Sequence, residues 1–248
     1  KLRALPPQRP AAAPAAPAAE APAGGPGGTN GTNGNNGHKM VGDIIKPETL
    51  WSCTTCLHCV YECPVLIEHV DAIVDMRRYL ALMEGDIPSS VATTLTNIER
   101  SGNPWKLPKR KRAAWTQGLD FEVPVMANVG EADVLWWVGC AGAYDPRNQK
   151  VSRALATILH AAGVNYAILG EEETCTGDAA RRLGNEFLFQ TQARSLVELL
   201  DARGVKKILV QCPHCLNTIR NELPQFGGRY EVVHHAELLA TLVADGRL

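Results

Sequence analysis

The feature that most constrains this chain is a run of four cysteines within eleven residues, closed by a proline, at Cys53, Cys56, Cys59, Cys63 and Pro64. Gaps of two residues let three thiolates wrap one face of a small inorganic cluster while loop amides point at its sulfides. The three-residue gap and the proline turn the fourth cysteine away from that face. A single zinc ion typically takes two separated cysteine pairs, and one short run of four is sterically poor for it.

The spacing of this run is the one by which bacterial-type ferredoxins hold [4Fe–4S] clusters, where the fourth cysteine usually ligates a different cluster from the first three. The sequence therefore predicts that Cys53, Cys56, Cys59 and Cys63 are iron–sulfur ligands and that the chain moves electrons. A zinc site stays open as the alternative.

Length and composition allow two small domains and argue against several other functions. The chain has 248 residues, of which 45% are hydrophobic, and its net charge of −1 argues against nucleic acid or an anionic membrane as the main partner. The clustered cysteines suit metal better than disulfides, so we expect a reducing compartment. No run of about eighteen apolar residues occurs, so no segment is expected to span a bilayer. The chain opens on Lys1 rather than on methionine, which suggests a piece of a longer protein.

Three regions of different composition follow one another along the chain. Residues 1–43 are rich in Ala and Pro and then in Gly and Asn, which predicts a disordered linker. Residues 44–118 are expected to form a helical domain around the cysteine run, with a helix starting near Pro47 and others over Asp71–Met83 and Val91–Arg100.

Residues 119–248 alternate between short apolar strands and amphipathic helices. The predicted strands are Val134–Val138, Asn165–Leu169, Lys207–Val210 and Tyr230–Val233. The predicted helices are Gln149–Ala162, Asp178–Ala202 with Leu183, Phe187, Ala193, Val197 and Leu200 on one face, a short one after the third strand, and Ala236–Val243. Repeated strand–helix units with buried strands predict a parallel sheet covered by helices.

The other four cysteines all follow predicted strands: Cys140 follows the first, Cys175 the second, and Cys212 and Cys215 the third. The carboxyl ends of parallel strands lie at one edge of a sheet, where ligands collect, so we expect these sulfurs to converge there. The alternatives are four buried cysteines that act as small hydrophobic side chains, or a zinc site with four thiolates. We favour a cubane because the first run already indicates one.

A family resemblance rests on longer stretches. The segments Val138-Gly139-Cys140-Ala141-Gly142, Glu173-Thr174-Cys175-Thr176-Gly177-Asp178, Cys212-Pro213-His214-Cys215 and Gly227-Gly228 resemble the Cys-rich domain named for its Cys-Cys-Gly motif, found in heterodisulfide reductase and in glycolate oxidase iron–sulfur subunits. A second likeness is to membrane-associated Fe–S oxidoreductases of the electron-transfer-flavoprotein:quinone type. It is carried by Trp51-Ser52-Cys53-Thr54-Thr55-Cys56, Ile67-Glu68-His69-Val70-Asp71, Asp75-Met76-Arg77-Arg78 and Leu183-Gly184-Asn185-Glu186-Phe187.

The resemblance covers about residues 45–248 and implies an α+β multidomain oxidoreductase. A small helical ferredoxin-like [4Fe–4S] unit over residues 44–118, the second half of such a domain, would precede an α/β parallel-sheet Cys-rich domain over residues 119–248. The resemblance further implies [4Fe–4S] cofactors, a flavoprotein donor, a quinone or haem acceptor in a membrane domain, and a place on the cytoplasmic side of the membrane. Disulfide or heterodisulfide reduction at the Cys-rich cluster, or a zinc-stabilised interaction module, are the alternatives.

The sequence departs from the family pattern in three respects. Thr176 follows Cys175 where the general motif has two adjacent cysteines, so a [4Fe–4S] site on Cys140, Cys175, Cys212 and Cys215 is expected rather than a five-thiolate cluster. The upstream ferredoxin run and the downstream second Cys-rich domain of the relatives are missing, and so is their membrane domain. Cys63 would then serve a cluster whose other ligands precede Lys1, and the cluster on Cys53, Cys56 and Cys59 lacks its fourth thiolate.

Several other polar residues receive weaker predictions. Lys109-Arg110-Lys111-Arg112 is expected to be a solvated basic loop between domains, with docking to an acidic partner as the alternative, and Asp178 is expected to be a helix N-cap. His214 is expected to tune a cluster through a hydrogen bond to sulfur. His234 and His235 suit equally a cap of the last helix and a proton or substrate site. His58 and His69 are expected to lie on the surface or to pack in loops.

Overall fold

The computed structural model of the chain describes residues 39–248, so the linker predicted over residues 1–43 lies almost wholly outside the described residues. The chain divides into two units between Thr54 and Thr55. The described part of the first unit holds a turn over Met40–Ile44, in which Val41 and Gly42 are not helical, and helix α1, Pro47–Ser52. Pro47 occupies the first turn of α1 as predicted, because its fixed φ suits a helix and its missing N–H would have no partner there.

The second unit, residues 55–248, contains ten α-helices and four strands in the described residues. The helices are α2 (His58–Tyr61), α3 (His69–Tyr79), α4 (Ser89–Ser101), α5 (Met126–Val129), α6 (Gly139–Tyr144), α7 (Pro146–Ala161), α8 (Asp178–Arg182), α9 (Glu186–Ala202), α10 (Pro213–Asn217) and α11 (His235–Ala244). Helices α3 and α10 continue as π-helical turns, Leu80–Glu84 and Thr218–Glu222. Short 3-10 turns lie at Lys109–Lys111, Ala114–Thr116, Gly170–Glu172 and Leu223–Phe226.

The four strands, β1 (Val134–Trp137), β2 (Tyr166–Ile168), β3 (Lys207–Val210) and β4 (Glu231–His234), form one parallel sheet in the order β2-β1-β3-β4. The predicted parallel sheet is therefore confirmed. From β1 the chain moves outward to β2, and it then returns past β1 to build β3 and β4. The direction of strand addition thus changes between β1 and β3, and in open α/β sheets ligands bind at the carboxyl ends beside such a point.

Two hydrophobic cores cover the two faces of the sheet, and strand residues alternate between them. Leu135 and Trp137 lie in one core with Ile98 of α4 and Phe189 of α9, whereas Trp136 lies in the other. The second core also contains the α7 residues Leu155, Ala156 and Leu159. Strands buried on both faces are typical of parallel sheets, whose connecting helices cover both sides.

The single helix predicted over Asp178–Ala202 is wrong, because the chain breaks into α8 and α9 at Gly184. Gly184 has φ +88, and a Cβ there would lie 2.5 Å from the backbone carbonyl carbon of Arg77 in α3. Asn185 then caps α9 by accepting a hydrogen bond from the amide of Leu188 at 3.0 Å. Phe187, predicted on the apolar face, lies in the first turn of α9 and is 77% exposed.

The segment after β1, predicted as a loop, forms the short helix α6 instead. Its C-cap, Asp145, also caps α7 by accepting a hydrogen bond from the amide of Asn148 at 2.8 Å, and Pro146 opens α7. Cys140 therefore sits in the first turn of a helix. Helices predicted over Asp71–Met83, Val91–Arg100 and Ala236–Val243 are confirmed to within a few residues. Across residues 39–248 no helix combines the length and apolar character needed to span a bilayer.

Candidate functional site

The loops after β1 and β3 approach each other at the carboxyl edge of the sheet. Gly139, directly after β1, lies so close to the third cysteine loop that a Cβ on it would be 3.5 Å from Cys215 Sγ and 3.8 Å from Cys212 Cβ. Gly139 has φ +76, a backbone conformation that favours glycine. The two loops thus bring Cys140, Cys212 and Cys215 to the point where the strand order changes direction.

Cys140 and Cys175 form one pair, tied to the same backbone carbonyl. The two thiols hydrogen-bond to each other, and the Cys140 thiol also donates to the carbonyl of Gly102 at 3.8 Å. That carbonyl accepts a second hydrogen bond from the amide of Cys175 at 2.8 Å, and the amide of Gly177 donates to Cys175 Sγ at 3.5 Å. Gly102 therefore positions both cysteine loops from the end of α4.

Cys212 and Cys215 form a second pair on the first turn of α10. Cys212 is the N-cap residue, Pro213 follows it, and Cys215 is buried. A hydrogen bond from the Cys215 thiol, with backbone amides of Cys215 and His214, lowers the pKa of Cys212 to about 6, although burial opposes the shift. The same shared proton and burial raise the pKa of Cys215. In this pair, Cys212 is therefore mostly a thiolate near neutral pH.

The two pairs share one electrostatic environment. Negative charge on Cys140 and Cys175 contributes to the raised pKa of Cys215. Within the other pair, the pKa of Cys140 is lowered and that of Cys175 is raised. The hydrogen bond between Cys140 and Cys175 is the main cause of both latter shifts. Four thiolates at one edge would repel one another, so full deprotonation of the set requires a cationic centre between them.

The described residues contain no group of three or more His, Cys, Asp or Glu side chains arranged around a single metal ion. A single zinc ion needs all its sulfurs within one short coordination sphere. A cluster binds each thiolate through a different iron, and its sulfurs stand further apart.

A buried ion pair lies beside Cys140, and the sequence prediction missed it. Arg112, expected in a solvated basic loop, is only 3% exposed, and its partner Glu173 is 1% exposed. The guanidinium donates to Glu173 Oε1 from Nη2 at 2.7 Å and from Nε at 3.2 Å. Nη2 also lies 3.5 Å from Cys140 Sγ and 3.2 Å from the carbonyl of Thr174. Burial opposes the charge on Arg112, but attraction to Glu173 and Cys140 leaves its pKa raised.

Glu173 also binds the backbone that precedes Cys140. Its Oε2 accepts from the amide of Val138 at 3.0 Å and its Oε1 from the amide of Gly139 at 2.8 Å. Glu173 lies two residues before Cys175, so its carboxylate joins the second cysteine loop to the first. The sequence could have drawn attention to Glu173, which belongs to the motif around Cys175. Nothing in the local sequence distinguishes Arg112 from its exposed neighbours, so the ion pair could not be predicted.

The first cysteine run has a more open structure. Cys53 lies in the first unit and follows α1, while Cys56, Cys59 and Cys63 lie in the second unit. Cys63 is surrounded by backbone donors: the amide of Ile67 donates to its Sγ at 3.3 Å, and amides of Ile67, Val65 and Leu66 lower its pKa. Thr55, Leu57 and Leu66 have positive φ values of 55, 62 and 57. Non-glycine residues with positive φ are strained, and such backbone is frequent at functional sites.

Histidine and aspartate predictions near the cysteines are partly corrected. His69 Nε2 lies 2.9 Å from Cys59 Sγ, so His69 contacts a candidate ligand rather than only loop residues. Asp178 is not the N-cap of α8, which is Gly177. Its carboxylate instead pairs with Arg182 at 3.3 Å and with His214 Nδ1 at 3.0 Å. The His214 ring therefore binds a carboxylate, while the backbone amide and the charge of His214 both contribute to the lowered pKa of Cys212.

The pair His234 and His235 has a structural use. His234 caps α11: its Nδ1 accepts from the amide of Ala236 at 3.4 Å, while Glu237 accepts from the amide of His234 at 3.0 Å. The predicted capping role is thus confirmed for His234. Burial and the neighbouring His234 lower the pKa of His235, which favours its neutral form.

A cavity of about 300 Å³ adjoins the pair of Cys140 and Cys175. Its lining includes Gly102, whose carbonyl binds both cysteine loops, and Thr174, which precedes Cys175, together with Arg100, Lys109, Phe187 and Gln192. The Oε1 atom of Gln192 is buried without a hydrogen-bond partner in the described part of the chain. The cavity thus combines cationic, apolar and unsatisfied polar groups.

Over part of its length the chain is similar to a Cys-rich domain family and to proteins named as iron–sulfur oxidoreductases. The family model of the Cysteine-rich domain matches residues 134–220, the segment from β1 into the π-helical turn that follows α10. No solved structure gives a significant match to the chain.

Among curated proteins, the chain is 46% identical to the probable iron-sulfur-binding oxidoreductase FadF of Bacillus subtilis, over 84% of the chain and 30% of that protein. It is 45% identical to the EtfAB:quinone oxidoreductase of Syntrophomonas wolfei, over 83% of the chain and 29% of that protein. It is 29% identical to one polypeptide of the dihydromethanophenazine:CoB–CoM heterodisulfide reductase of Methanosarcina barkeri, over 79% of the chain and 47% of that polypeptide. The chain thus spans about 30% of the length of the first two relatives.

Proposed function

We propose that this chain is an electron-transfer segment that passes electrons between [4Fe–4S] clusters, from a flavoprotein donor toward a quinone or haem acceptor. The observation that carries the proposal is the meeting of Cys140, Cys175, Cys212 and Cys215 at the switch point of the sheet, beside a buried cation. The names of two relatives, an EtfAB:quinone oxidoreductase and a probable membrane-anchored ferredoxin, support a flavoprotein donor, a quinone acceptor and an association with a membrane. We also propose that this chain lies on the cytoplasmic side of that membrane.

We call the carboxyl edge of the sheet that carries Cys140, Cys175, Cys212 and Cys215 the rim. The chemistry of these residues suits a [4Fe–4S] cluster. Four cysteine thiols supply the usual ligand set, two of them have lowered pKa values, and Arg112 offsets the negative charge of the thiolates. When bound, such a cluster would accept and release one electron at a time. The chain itself would hold the ligands, exclude water through burial of Cys215, and donate N–H groups to sulfur from Arg112 and Gly177.

We further propose that residues 44–118 are the second half of a ferredoxin-like domain and that residues 119–248 form the Cys-rich domain. Cys53, Cys56 and Cys59 would bind one cluster, and Cys63 would bind another, completed by residues outside this chain. The ring of amides around Cys63 Sγ supports a thiolate there, because N–H donors stabilise the charged form.

Anaerobic reconstitution with iron and sulfide tests the proposal. We expect a brown protein whose visible absorption bleaches with dithionite and whose reduced form gives an electron paramagnetic resonance signal. The Cys212→Ser variant should lose the rim cluster, while Arg110→Gln, a change on the exposed basic turn, should not. A colourless protein with stoichiometric zinc would overturn the proposal in favour of a zinc-stabilised module.

A second candidate function, disulfide reduction at the rim, is favoured by the cavity beside Gly102 and Thr174. Arg100 and Lys109 would attract an anionic disulfide, which takes up two electrons, one from each of two reduced clusters, and two protons from the solvent, and yields two thiols. Adding oxidised glutathione to the reduced, reconstituted protein tests this. Release of two thiols per disulfide, slowed in Lys109→Gln, would support reductase activity, and unchanged absorption with no thiol release would exclude it.

A further inference from the structure

The ion pair of Arg112 and Glu173 is a costly arrangement for a protein interior. Both side chains are almost fully buried, and removing two charges from water is seldom offset by their mutual attraction alone. Stability by itself therefore gives a weak reason for the pair. Its position offers another reason, since the guanidinium lies 3.5 Å from Cys140 Sγ.

The two charges of the pair face different groups. Arg112 Nη2 is directed toward Cys140 Sγ and the carbonyl of Thr174, next to Cys175. Glu173 is directed toward the amides of Val138 and Gly139, at 3.0 and 2.8 Å, which partly neutralise it. The Cys140 sulfur therefore has the cation at 3.5 Å, whereas the hydrogen bonds of Glu173 are made to Arg112 and to two backbone amides.

A cation and an N–H donor beside a ligand sulfur stabilise the more negative of two redox states. In a buried site this effect is stronger than at a surface, because water screens the charge poorly there. Hydrogen bonds to ligand sulfurs and net charge are among the factors that set the potential of an iron–sulfur cluster.

We propose that Arg112 is a positioning residue that raises the reduction potential of the cluster at the Cys-rich rim, and that Glu173 limits this effect while it locks the Cys140 turn. The inference rests on the proposed function, because it requires a cluster at Cys140. It adds a role for two residues that are not ligands. It also assigns opposite signs to the two members of one ion pair, which a purely structural role would not produce.

The test is a redox titration of the reconstituted protein, monitored by electron paramagnetic resonance. Arg112→Gln should shift the midpoint potential of the rim cluster to a more negative value, and Glu173→Gln should shift it to a more positive one. Arg112→Lys, which keeps the charge but not the forked geometry, should fall between wild type and Arg112→Gln. Arg110→Gln, an equal charge change on the exposed turn, should shift the potential several times less.

Three outcomes would overturn the inference. These are an unchanged potential in Arg112→Gln, the same shift in Arg110→Gln, or a shift of the same sign in both members of the pair. If Arg112→Gln does not fold, the double variant with Glu173→Gln contains no unpaired buried charge, and its potential should still lie below that of wild type. A wild-type protein that takes up no cluster would instead refute the proposed function, and the inference with it.

A second measurement needs no cluster. In the cluster-free protein, hydrogen exchange of the segment with Val138 and Gly139 should be faster in Glu173→Gln than in wild type, because both amides lose a charged acceptor. Exchange of β3 serves as the internal reference. Equal exchange rates at Val138 and Gly139 in the two proteins would contradict the locking role of Glu173.

Discussion

The two cysteine sites of this chain are built in opposite ways. In the first run, four cysteines are neighbours in sequence, Cys56 and Cys59 are exposed, and backbone amides are the donors to Cys63. At the rim, cysteines up to 75 positions apart (Cys140 to Cys215) meet through the topology of a sheet, and a buried arginine side chain approaches one sulfur. A local site depends on its own loop, whereas the rim depends on the whole second unit.

The difference has a physical consequence for the protein in its cluster-free state. Donors that come from the backbone of a short loop need only the turn geometry of that loop, here with positive φ at Thr55, Leu57 and Leu66. A buried side-chain cation needs a complete core to hold it, because a charge left without its partner in the interior is strongly destabilising. We therefore expect the rim to be preformed and the first run to be organised by its ligand.

The largest effect is expected from removal of a ligand. Cys212→Ser should abolish the iron of the rim, about four atoms per chain for a [4Fe–4S] cluster, and spare any iron held by the first run. Cys56→Ser should have the reverse effect. Iron analysis after anaerobic reconstitution measures both. If either variant lost iron equally from both sites, the sites would not be independent and the comparison would fail.

The next effect concerns the close contact between α3, which follows the first run, and the corner between α8 and α9. Gly184→Ala places a Cβ 2.5 Å from the backbone of Arg77 at a φ of +88, so it should lower the free energy of unfolding by about 3 kcal/mol through strain and overlap. Gly204→Ala, at φ +63 with no atom within 4 Å, is the matched control and should cost about 1 kcal/mol. Chemical denaturation compares them, and equal losses would contradict the contact.

A smaller effect separates the members of the Cys212 and Cys215 pair in the cluster-free protein. Cys212, with a pKa of about 6, should be alkylated by iodoacetamide at pH 7, and Cys215, with a raised pKa and a buried thiol, should not. As pH falls through about 6, the Cys212 thiolate is protonated and its labelling should decline. Mass spectrometry of labelled peptides gives the profile. A midpoint near the ordinary thiol value would exclude a preformed rim.

The smallest effect tests whether the histidines at the rim serve structure alone. Glu237→Ala removes half of the capping box at His234 and should destabilise the protein by about 1 kcal/mol. The His234 amide lowers the pKa of Glu237, so this contribution is present above the ordinary glutamate pKa and is lost as pH falls through the lowered value. Glu198→Ala, on the exposed side of α9, is the control. Loss of rim iron in Glu237→Ala would instead indicate a functional role.

Much of the fold could be predicted because apolar periodicity is a local signal. The four strands lie where short apolar runs occur, and their parallel pairing follows from the helices between them. The break at Gly184 could not be predicted from local pattern, since the reason for it is the backbone of Arg77, far away in sequence. The same holds for α6, which forms where the local pattern predicted a loop.

Sequence alone determined which eight residues are candidate ligands and that four of them follow strands, because cysteine spacing and strand–helix alternation are written along the chain. The tertiary structure decided which charges surround them. Lys109, Arg110 and Lys111 are exposed, while the adjacent Arg112 is buried against Glu173 and Cys140. These four adjacent residues are all lysine or arginine, so the sequence gives no sign that one of them differs. Only packing distinguishes them, because the environment of a charge depends on residues brought near it by the fold.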